Sequence, residues 1–498
     1  MNFRQTSSDP SELIIGVIGP IGCNRKHVIE TIGNLAKHFN YRSIDIGVSN
    51  LIKENATVPD FGEDQYLRVK TLIQAGNELR RRTEDNSVMA KLAAREISKL
   101  RPADSRRNIF VIDSIKHPEE VDELRHIYGS AFYLIAVHSP QSHRDEYLKN
   151  HCHILDSKKR TELIEQDKDE QVGYGQSTRE AFHRADFFLT EEGNQQKIWN
   201  TLERFFDIIF GNPFATPTFH EYAMFSAYGA AMHSADLSRQ VGAVVTLGTD
   251  ILSTGANDCP KPFGGTYWPN YDRTNGRIFD SPEGRDYMRG VDRNAQEKQA
   301  IIDSLKVGLP ETSKEILEKN ILRSALNDLT EFGRVVHAEM DAILSCARRG
   351  VSCNQAALFC TTFPCHNCAK HIVASGIRKV VFIEPYPKSK AFDMHKDSIA
   401  SADEGRHDVV KFIPFVGVGP RQFVDLFSMT LSSGARMRRK ASGSMESAKW
   451  TRKHAVPRVK TYPVSYQDNE RTVTSEADSA LAGIERVVVS KPSDAPKN

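Results

Sequence analysis

The triplet His337-Ala338-Glu339, followed downstream by Pro364-Cys365-His366-Asn367-Cys368, constrains this chain more than any other stretch of it. Cysteines three positions apart share one face of a helical turn, so Cys365 and Cys368 aim both sulfurs the same way. A helix start there adds unpaired N–H groups and a positive dipole end, which favour thiolate. His337, at the start of another helix, supplies a third donor. Zinc takes four ligands in a tetrahedron and accepts thiolate and imidazole. Three protein donors leave one position open, the arrangement of catalytic rather than structural sites. Glu339, two residues on, is directed away from the imidazole. It is suited to reach a metal-bound water, whose pKa falls to about 7, and to carry its proton. A closed structural zinc site and a CxxC redox pair are the alternatives. The first needs a fourth ligand that neither His366 nor His371 supplies in a paired motif, and the second leaves the upstream His-x-Glu unexplained. Cys346, Cys353 and Cys360 read as small core residues, and Cys259 as a candidate for a second metal site.

The remaining sequence divides into periodic blocks. LIIGVIG (13–19), NIFVID (108–113) and AFYLIAVHS (131–139) are apolar strands alternating with helical patterns such as CNRKHVIETIGNLAKHF and HPEEVDELRHIYG. Strands alternating with helices give a parallel sheet covered on both faces. GNPFATPTF (211–219) reads as a linker. QVGAVVTL and ILSTGA then form a hairpin, and a long polar insertion runs from Asn257 to about Gly333. Beyond it lie the helix of HAEMDAILSCARRG, the strand AALFCTT, the helix of CHNCAKHIVASG, the strand KVVFIEPY and a last strand in VKFIPFVGV. The fold class expected is α/β: two three-layer α/β/α domains, 1–211 and 219–432, with a weakly ordered basic and polar tail, 433–498, holding at most a short helix. Eight cysteines in 498 residues exclude a disulfide scaffold and point to a cytoplasmic location. The balance of 66 basic and 64 acidic side chains argues against a nucleic-acid coat. No apolar run approaches the ~18 residues of a membrane-spanning helix, and the polar start is not that of a signal peptide.

SADLSRQVGAVVTLGTDILSTGAND (234–258), HAEMDAIL and LFCTTFPCHNCAKHIVASGIRKVVF resemble deoxycytidylate deaminases over most of residues 219–420. His-x-Glu with Pro-Cys-x-x-Cys is also the pattern of zinc nucleobase deaminases. The resemblance implies a cytosine ring over a zinc held by His337, Cys365 and Cys368, with Glu339 as the proton carrier. It also puts Asn257, from the strand-ending Gly-x-Asn, on the sugar. Arg239 falls where the family places polar contacts near the nucleotide; the plainer reading is a surface arginine before a strand. Tyr386 follows a strand at the sheet's carboxyl edge and is expected beside base or sugar, or else as a rim tyrosine. Asp341 departs from the asparagine that related deaminases often carry.

Gly16-Val-Ile-Gly19-Pro-Ile-Gly22-Cys-Asn-Arg-Lys26-His follows a strand and opens a helix, the setting in which backbone N–H groups and a lysine cradle phosphate. GxxxxGK[ST] is not met, because His27 replaces the hydroxyl residue. Asp113 is placed like a Walker-B carboxylate, and Arg144 and Arg179 fall in segments able to form a lid. The block resembles a P-loop nucleoside-monophosphate kinase. Gly19, Gly22, Lys26 and Asp113 are its expected phosphate-binding residues, with ATP, GTP or another nucleotide as ligand. An active kinase, a nucleotide-binding regulator and a purely structural domain all stay open. A kinase-like domain followed by a deaminase domain resembles the bacterial anti-phage dCTP deaminases. That resemblance implies deamination of free dCTP or dCMP to the uracil nucleotide and ammonia, depleting dCTP. It further implies a homo-oligomer, a regulatory nucleotide, RNA or protein partner, and no membrane. The alternative is a tRNA or single-stranded DNA deaminase using the basic stretches Arg436–Arg439 and Lys449–Lys460.

Overall fold

Leu13, Ile15 and Val17 face one way and Ile14 and Ile18 the other, and all five are fully buried. Strand β1 (Leu13–Ile18) therefore needs cover on both faces. The computed structural model describes residues 12–103, 107–168, 177–322, 324, 332–386, 389–434, 436–441, 443–459 and 463–490. They divide into two compact units, Met1–Glu221 with Val416–Asn498, and Tyr222–Phe415.

In the first unit, β1 lies between β3 (Asn108–Asp113) and β4 (Phe132–His138), parallel to both. β2 (Arg42–Gly47) extends the sheet beyond β3, and β5 (Phe187–Thr190) extends it beyond β4. The order β5-β4-β1-β3-β2 reverses direction at β1, so a crevice opens at its carboxyl end. Helix α1 (Arg25–His38) is capped by Asn24, whose side chain accepts from the His27 amide. It buries Val28, Ile32, Leu35 and Ala36 against one face of the sheet, the helical spacing read from sequence. Helices α2 (Val88–Leu100) and α3 (Pro118–Tyr128) lie against β2 and β4 respectively. Helix α4 (Gln195–Ile209) adds Ile198, Leu202, Phe205 and Phe206 to the α1 side.

The second unit carries the expected hairpin, β6 (Gly242–Leu247) and β7 (Asp250–Ala256), beside three parallel partners in sequence: β8 (Ala357–Thr362), β9 (Lys379–Glu384) and, after the short β10 (Ile399–Ser401), β11 (Val410–Pro414). The sheet order is β10-β11-β9-β8-β6-β7. Helix α5 (Phe219–Ala231) lies on β6, where the β-carbon that Gly242 lacks would stand 1.9 Å from the Ala227 carbonyl oxygen. Helices α6 (Ala338–Arg348) and α7 (His366–Ala374) bury Ala338, Ala342, Cys346, Cys368, Ala369 and Ile372 with Val245, Leu358 and Val380 of the sheet. The insertion forms the helices Arg293–Lys306 and Glu311–Leu322 and a two-residue ribbon, Asn270–Tyr271 with Ile278–Phe279.

Two expectations need correction. VKFIPFVGV is not one strand: Val410–Pro414 pairs with β9, whereas Gly417–Val418 joins the first unit's sheet antiparallel to β5. Gly417 makes the break, with φ +129° and a β-carbon position 2.7 Å from Glu221 Oε1. Consequently the division into 1–211, 219–432 and 433–498 also changes, because everything after Val416 returns to the first unit. Within that return, helix α8 (Pro463–Ala482) is longer than the short helix expected in the tail. Its buried residues Tyr466, Glu470, Val473 and Ala477 recur at helical spacing along α2. The basic stretch is engaged within the unit as well. Arg439 donates to the Pro213 carbonyl, and Arg452 pairs with Asp207 and Glu203.

Candidate active site

Both candidate ligand segments are helix caps. His337 is the N-cap of α6 and Cys365 the N-cap of α7, where Cys365 Sγ accepts from the Cys368 amide. α6 reaches this place because β7 offers a glycine beneath it. A β-carbon on Gly255 would lie 2.3 Å from the Ala338 carbonyl oxygen and 2.4 Å from the Ala342 amide nitrogen. α7 starts directly after β8, so Cys365 and Cys368 stand at that strand's carboxyl end.

His337 Nδ1 lies 3.4 Å from Cys365 Sγ and 3.3 Å from Cys368 Sγ, and the three donor atoms all fall within 4.8 Å of one another. Zinc bonds of about 2.0 Å to nitrogen and about 2.3 Å to sulfur set tetrahedral edges of roughly 3.5–3.8 Å, so this donor set fits the ion. Among the described residues it is the one such cluster of His, Cys, Asp and Glu. Cys259 is buried away from any such grouping, and Cys346, Cys353 and Cys360 are core residues as expected. Hydrogen bonding to Cys368, then to His337, pulls the Cys365 thiol down to about 4. The hydrogen bond to Cys365 lifts His337 to about 9. His337 and Cys365 thus favour opposite charges, whereas the hydrogen bond to Cys365, then burial, pushes the Cys368 thiol up. Glu339 is 5% exposed. Burial pushes its carboxyl up, while the His337 charge opposes that shift and the Cys365 and Cys368 sulfurs also act on it. One carboxylate therefore sits against the cluster without belonging to the donor set.

A cavity of about 220 Å³ opens above these groups, lined by His337, Glu339 and Cys365 together with Asn257, Arg239 and Tyr386. The structure thus gathers every residue assigned to this site from sequence. Arg239 stacks its guanidinium over the Tyr386 ring at 5.2 Å and reaches Glu384 at 3.4 Å. Asn257 is partly committed. Its Oδ1 accepts from the Val241 amide at 2.6 Å and its Nδ2 donates to the Arg239 carbonyl at 2.8 Å. One amide hydrogen and one lone pair remain for a ligand. Sequence reasoning missed the far wall, where the insertion contributes Asp286, Asp292 and Asn294. Asp292 was legible in principle as a helix cap, since it accepts from the Ala295 amide. Asp286 is held by Arg334 at 2.6 Å, a pairing across the insertion with no local signal.

Residues 217–384 match the family model for the cytidine and deoxycytidylate deaminase zinc-binding region. The deoxycytidylate deaminase of Enterobacteria phage T4 is 35% identical over 167 residues, 33% of this chain and 77% of that protein. The chain belongs to the deoxycytidylate deaminase family. Among solved structures, the dCMP deaminase of cyanophage S-TIM5 is 20% identical, with a TM-score of 0.22 over 40% of this chain and 99% of that one. A gluconokinase from Sinorhizobium meliloti 1021 is 14% identical, with a TM-score of 0.22 over 38% of this chain and 88% of that one.

The first unit's candidate residues are brought together only in part. Gly19, Gly22 and Asp113 gather at the carboxyl end of β1, but Lys26 does not join them. Its side chain is 82% exposed and lies 3.9 Å from Glu30. Arg25 takes the inward place, pairing with Asp113 at 2.9 Å and donating to the Gly19 carbonyl. Lys116, also missed from sequence, donates to the same carbonyl at 3.0 Å. Arg144 packs against Gly22, whereas Arg179 sits in the short helix Thr178–Phe182. No helix among the described residues is long and apolar enough to cross a membrane.

Proposed function

We propose that this deoxycytidylate deaminase family member hydrolyses the exocyclic amine of a free deoxycytidine nucleotide, dCMP or dCTP, giving the uracil nucleotide and ammonia. The observation that supports it most is the His337, Cys365 and Cys368 donor set with the buried Glu339 carboxylate beside it. Zinc is the ion those residues would hold, and when bound it lowers the pKa of water toward neutrality. Glu339 carries protons. Its raised affinity for a proton lets it take one up in the cavity, pass it to the ring nitrogen and supply the departing amine. Tyr386 and Arg239 form a flat, cationic edge suited to a nucleotide's ring and phosphate.

The likeness to the phage T4 deoxycytidylate deaminase also supports the nucleotide reading. The nucleic-acid alternative keeps only part of its basic stretch, because Arg439 and Arg452 are engaged in the first unit while Arg436, Arg438, Lys440, Lys449 and Lys453 are exposed. Depletion of dCTP during phage infection is the cellular role that fits such an activity. Its test is phage challenge of cells carrying wild type or Glu339→Gln.

The decisive experiment offers the full chain dCMP, dCTP, deoxycytidine and single-stranded DNA, with metal content measured in parallel. Turnover of a free nucleotide is expected, with zinc near one per chain. Glu339→Gln should keep the metal and lose at least roughly a hundredfold in rate. Editing of DNA without nucleotide turnover, or an undiminished Glu339→Gln rate, overturns the reading.

A further inference from the structure

Arg239 is the one lysine or arginine among the described residues that line the deaminase cavity, whose walls also carry Asp236, Asp286 and Asp292. A phosphate entering among three aspartates goes where the single guanidinium stands, so the direction of that side chain matters. The side chain is 43% exposed and comes from the loop before β6. Its backbone is held on both sides. The Arg239 amide donates to Asp236 Oδ1 at 3.1 Å, and the Arg239 carbonyl accepts from Asn257 Nδ2 at 2.8 Å. Those two bonds set the backbone, not the rotamer. A half-exposed arginine samples many rotamers, and ordering it during binding weakens affinity unless the protein has ordered it beforehand.

Glu384 is placed to order it. It ends β9 and stands in register with Thr362, which ends the parallel neighbour β8. Its two carboxylate oxygens have different partners. Oε2 accepts from Thr362 Oγ1 at 3.0 Å, and Oε1 accepts from Arg239 Nη1 at 3.4 Å. Its carbonyl oxygen accepts from the Phe363 amide at 2.8 Å. The acceptor for Arg239 is therefore mounted on a paired strand rather than on a loop, which is the more precise support. Two residues on, the Tyr386 ring lies 5.2 Å from the guanidinium carbon. No described residue accepts from Arg239 Nε or Nη2, and that edge of the fork matches two oxygens of a phosphate. Glu384 itself is not among the residues that line the cavity, whereas Arg239, Tyr386 and Thr362 are.

We propose that Glu384 is a positioning residue for nucleotide capture: anchored by Thr362, it holds the Arg239 guanidinium across Tyr386 and leaves the Nε and Nη2 edge open for the nucleotide's phosphate. This role rests on the deaminase reading above and adds to it a group that does not touch the substrate. Glu384 acts before binding, by ordering its partner. Its loss should therefore weaken capture of the nucleotide and leave the chemical step, which belongs to Glu339 and the donor set, alone.

The test is steady-state deamination of dCMP and of dCTP by the full-length protein. For each nucleotide that wild type turns over, Glu384→Ala should raise KM roughly threefold to tenfold and change kcat by less than about twofold. Glu384→Gln can still accept from Arg239 while its amide nitrogen turns to Thr362 Oγ1, so its KM should return to within about twofold of wild type. In an Arg239→Met background, Glu384→Ala should move KM no further. An unchanged or lowered KM in Glu384→Ala, a rise that survives Arg239→Met, or no recovery in Glu384→Gln overturns the role. A loss of kcat at constant KM overturns it as well. Should Glu384→Ala not fold, Glu384→Ser takes its place with the same expectations, since serine is too short to reach Arg239. No turnover of either nucleotide by wild type overturns the deaminase reading itself, whereas turnover with an unmoved KM overturns only the part given to Glu384.

Discussion

At Gly255 one hydrogen atom decides where the Glu339 carboxylate stands. Both atoms that a β-carbon would strike belong to the α6 backbone, so Gly255→Ala must push the helix rather than rotate a side chain. His337 and Glu339 ride on that first turn. We expect Gly255→Ala to remain folded, to lower the zinc-to-protein ratio in elemental analysis and to cut deamination by roughly a hundredfold, the scale of an ångström's misplacement. Gly229→Ala, with open space around its β-carbon, is the control and should change neither. Residue-level chemistry was legible where type and spacing encode it. Histidine, two cysteines and a glutamate announce themselves, and the structure gathers them. What Gly255 does was hidden, because close backbone approach leaves no pattern in a sequence. That Arg25 rather than Lys26 turns toward Asp113 was hidden for a related reason. Adjacent helical positions point about 100° apart, and only the paired Asp113 reveals which one turns inward.

At the scale of elements, caps and continuous apolar runs were the legible parts. Helix α3 shows how such a cap couples to pH. His117 Nδ1 accepts from the Glu119 amide at 3.2 Å, while Glu120 accepts from the His117 and Lys116 amides. Burial lowers the His117 pKa, with the Glu120 charge opposing. A proton on Nδ1 would remove the acceptor. Below about 6.5 the unfolded chain therefore binds the proton that the folded cap refuses, and the stability present above that pH is lost as pH falls. Thermal unfolding followed from pH 8 downward should show this decline in wild type. His117→Asn, which caps without titrating, should flatten it, and His117→Ala should lie about 1 kcal/mol below His117→Asn at every pH. Elements escaped the sequence where exposure or continuity masked them. Strand β2, RSIDIG, buries only Ile46 because it sits at the sheet edge. VKFIPFVGV looked like one strand because every residue able to mark the break is small or apolar. The break itself depends on Glu221, far away in sequence.

On the scale of the whole molecule, a helix read as tail is fastened by charge. Arg101 donates to both oxygens of Glu470 at 2.7 and 2.6 Å and to Glu12 at 2.9 Å, and Tyr466 donates to Glu12 at 3.0 Å. Glu12 and Glu470 are both at most 2% exposed. Arg101→Met would strand two buried carboxylates. Denaturant unfolding of the first unit should then lose about 3–5 kcal/mol, with Glu470→Gln in the same background restoring part of it. Polar composition concealed α8 because one face is made of ion pairs rather than aliphatic side chains. The same unit is closed by Glu221. Its carboxylate accepts from the Thr218 amide where the chain leaves and from the Val418 amide where it comes back, at 2.7 and 2.8 Å. The chain thus departs and re-enters at one clasp, and a ribosome delivers the halves of that clasp in a fixed order. Everything from Tyr222 to Phe415 has emerged before the partner of β5 exists, so the later-starting body is the first that can be finished.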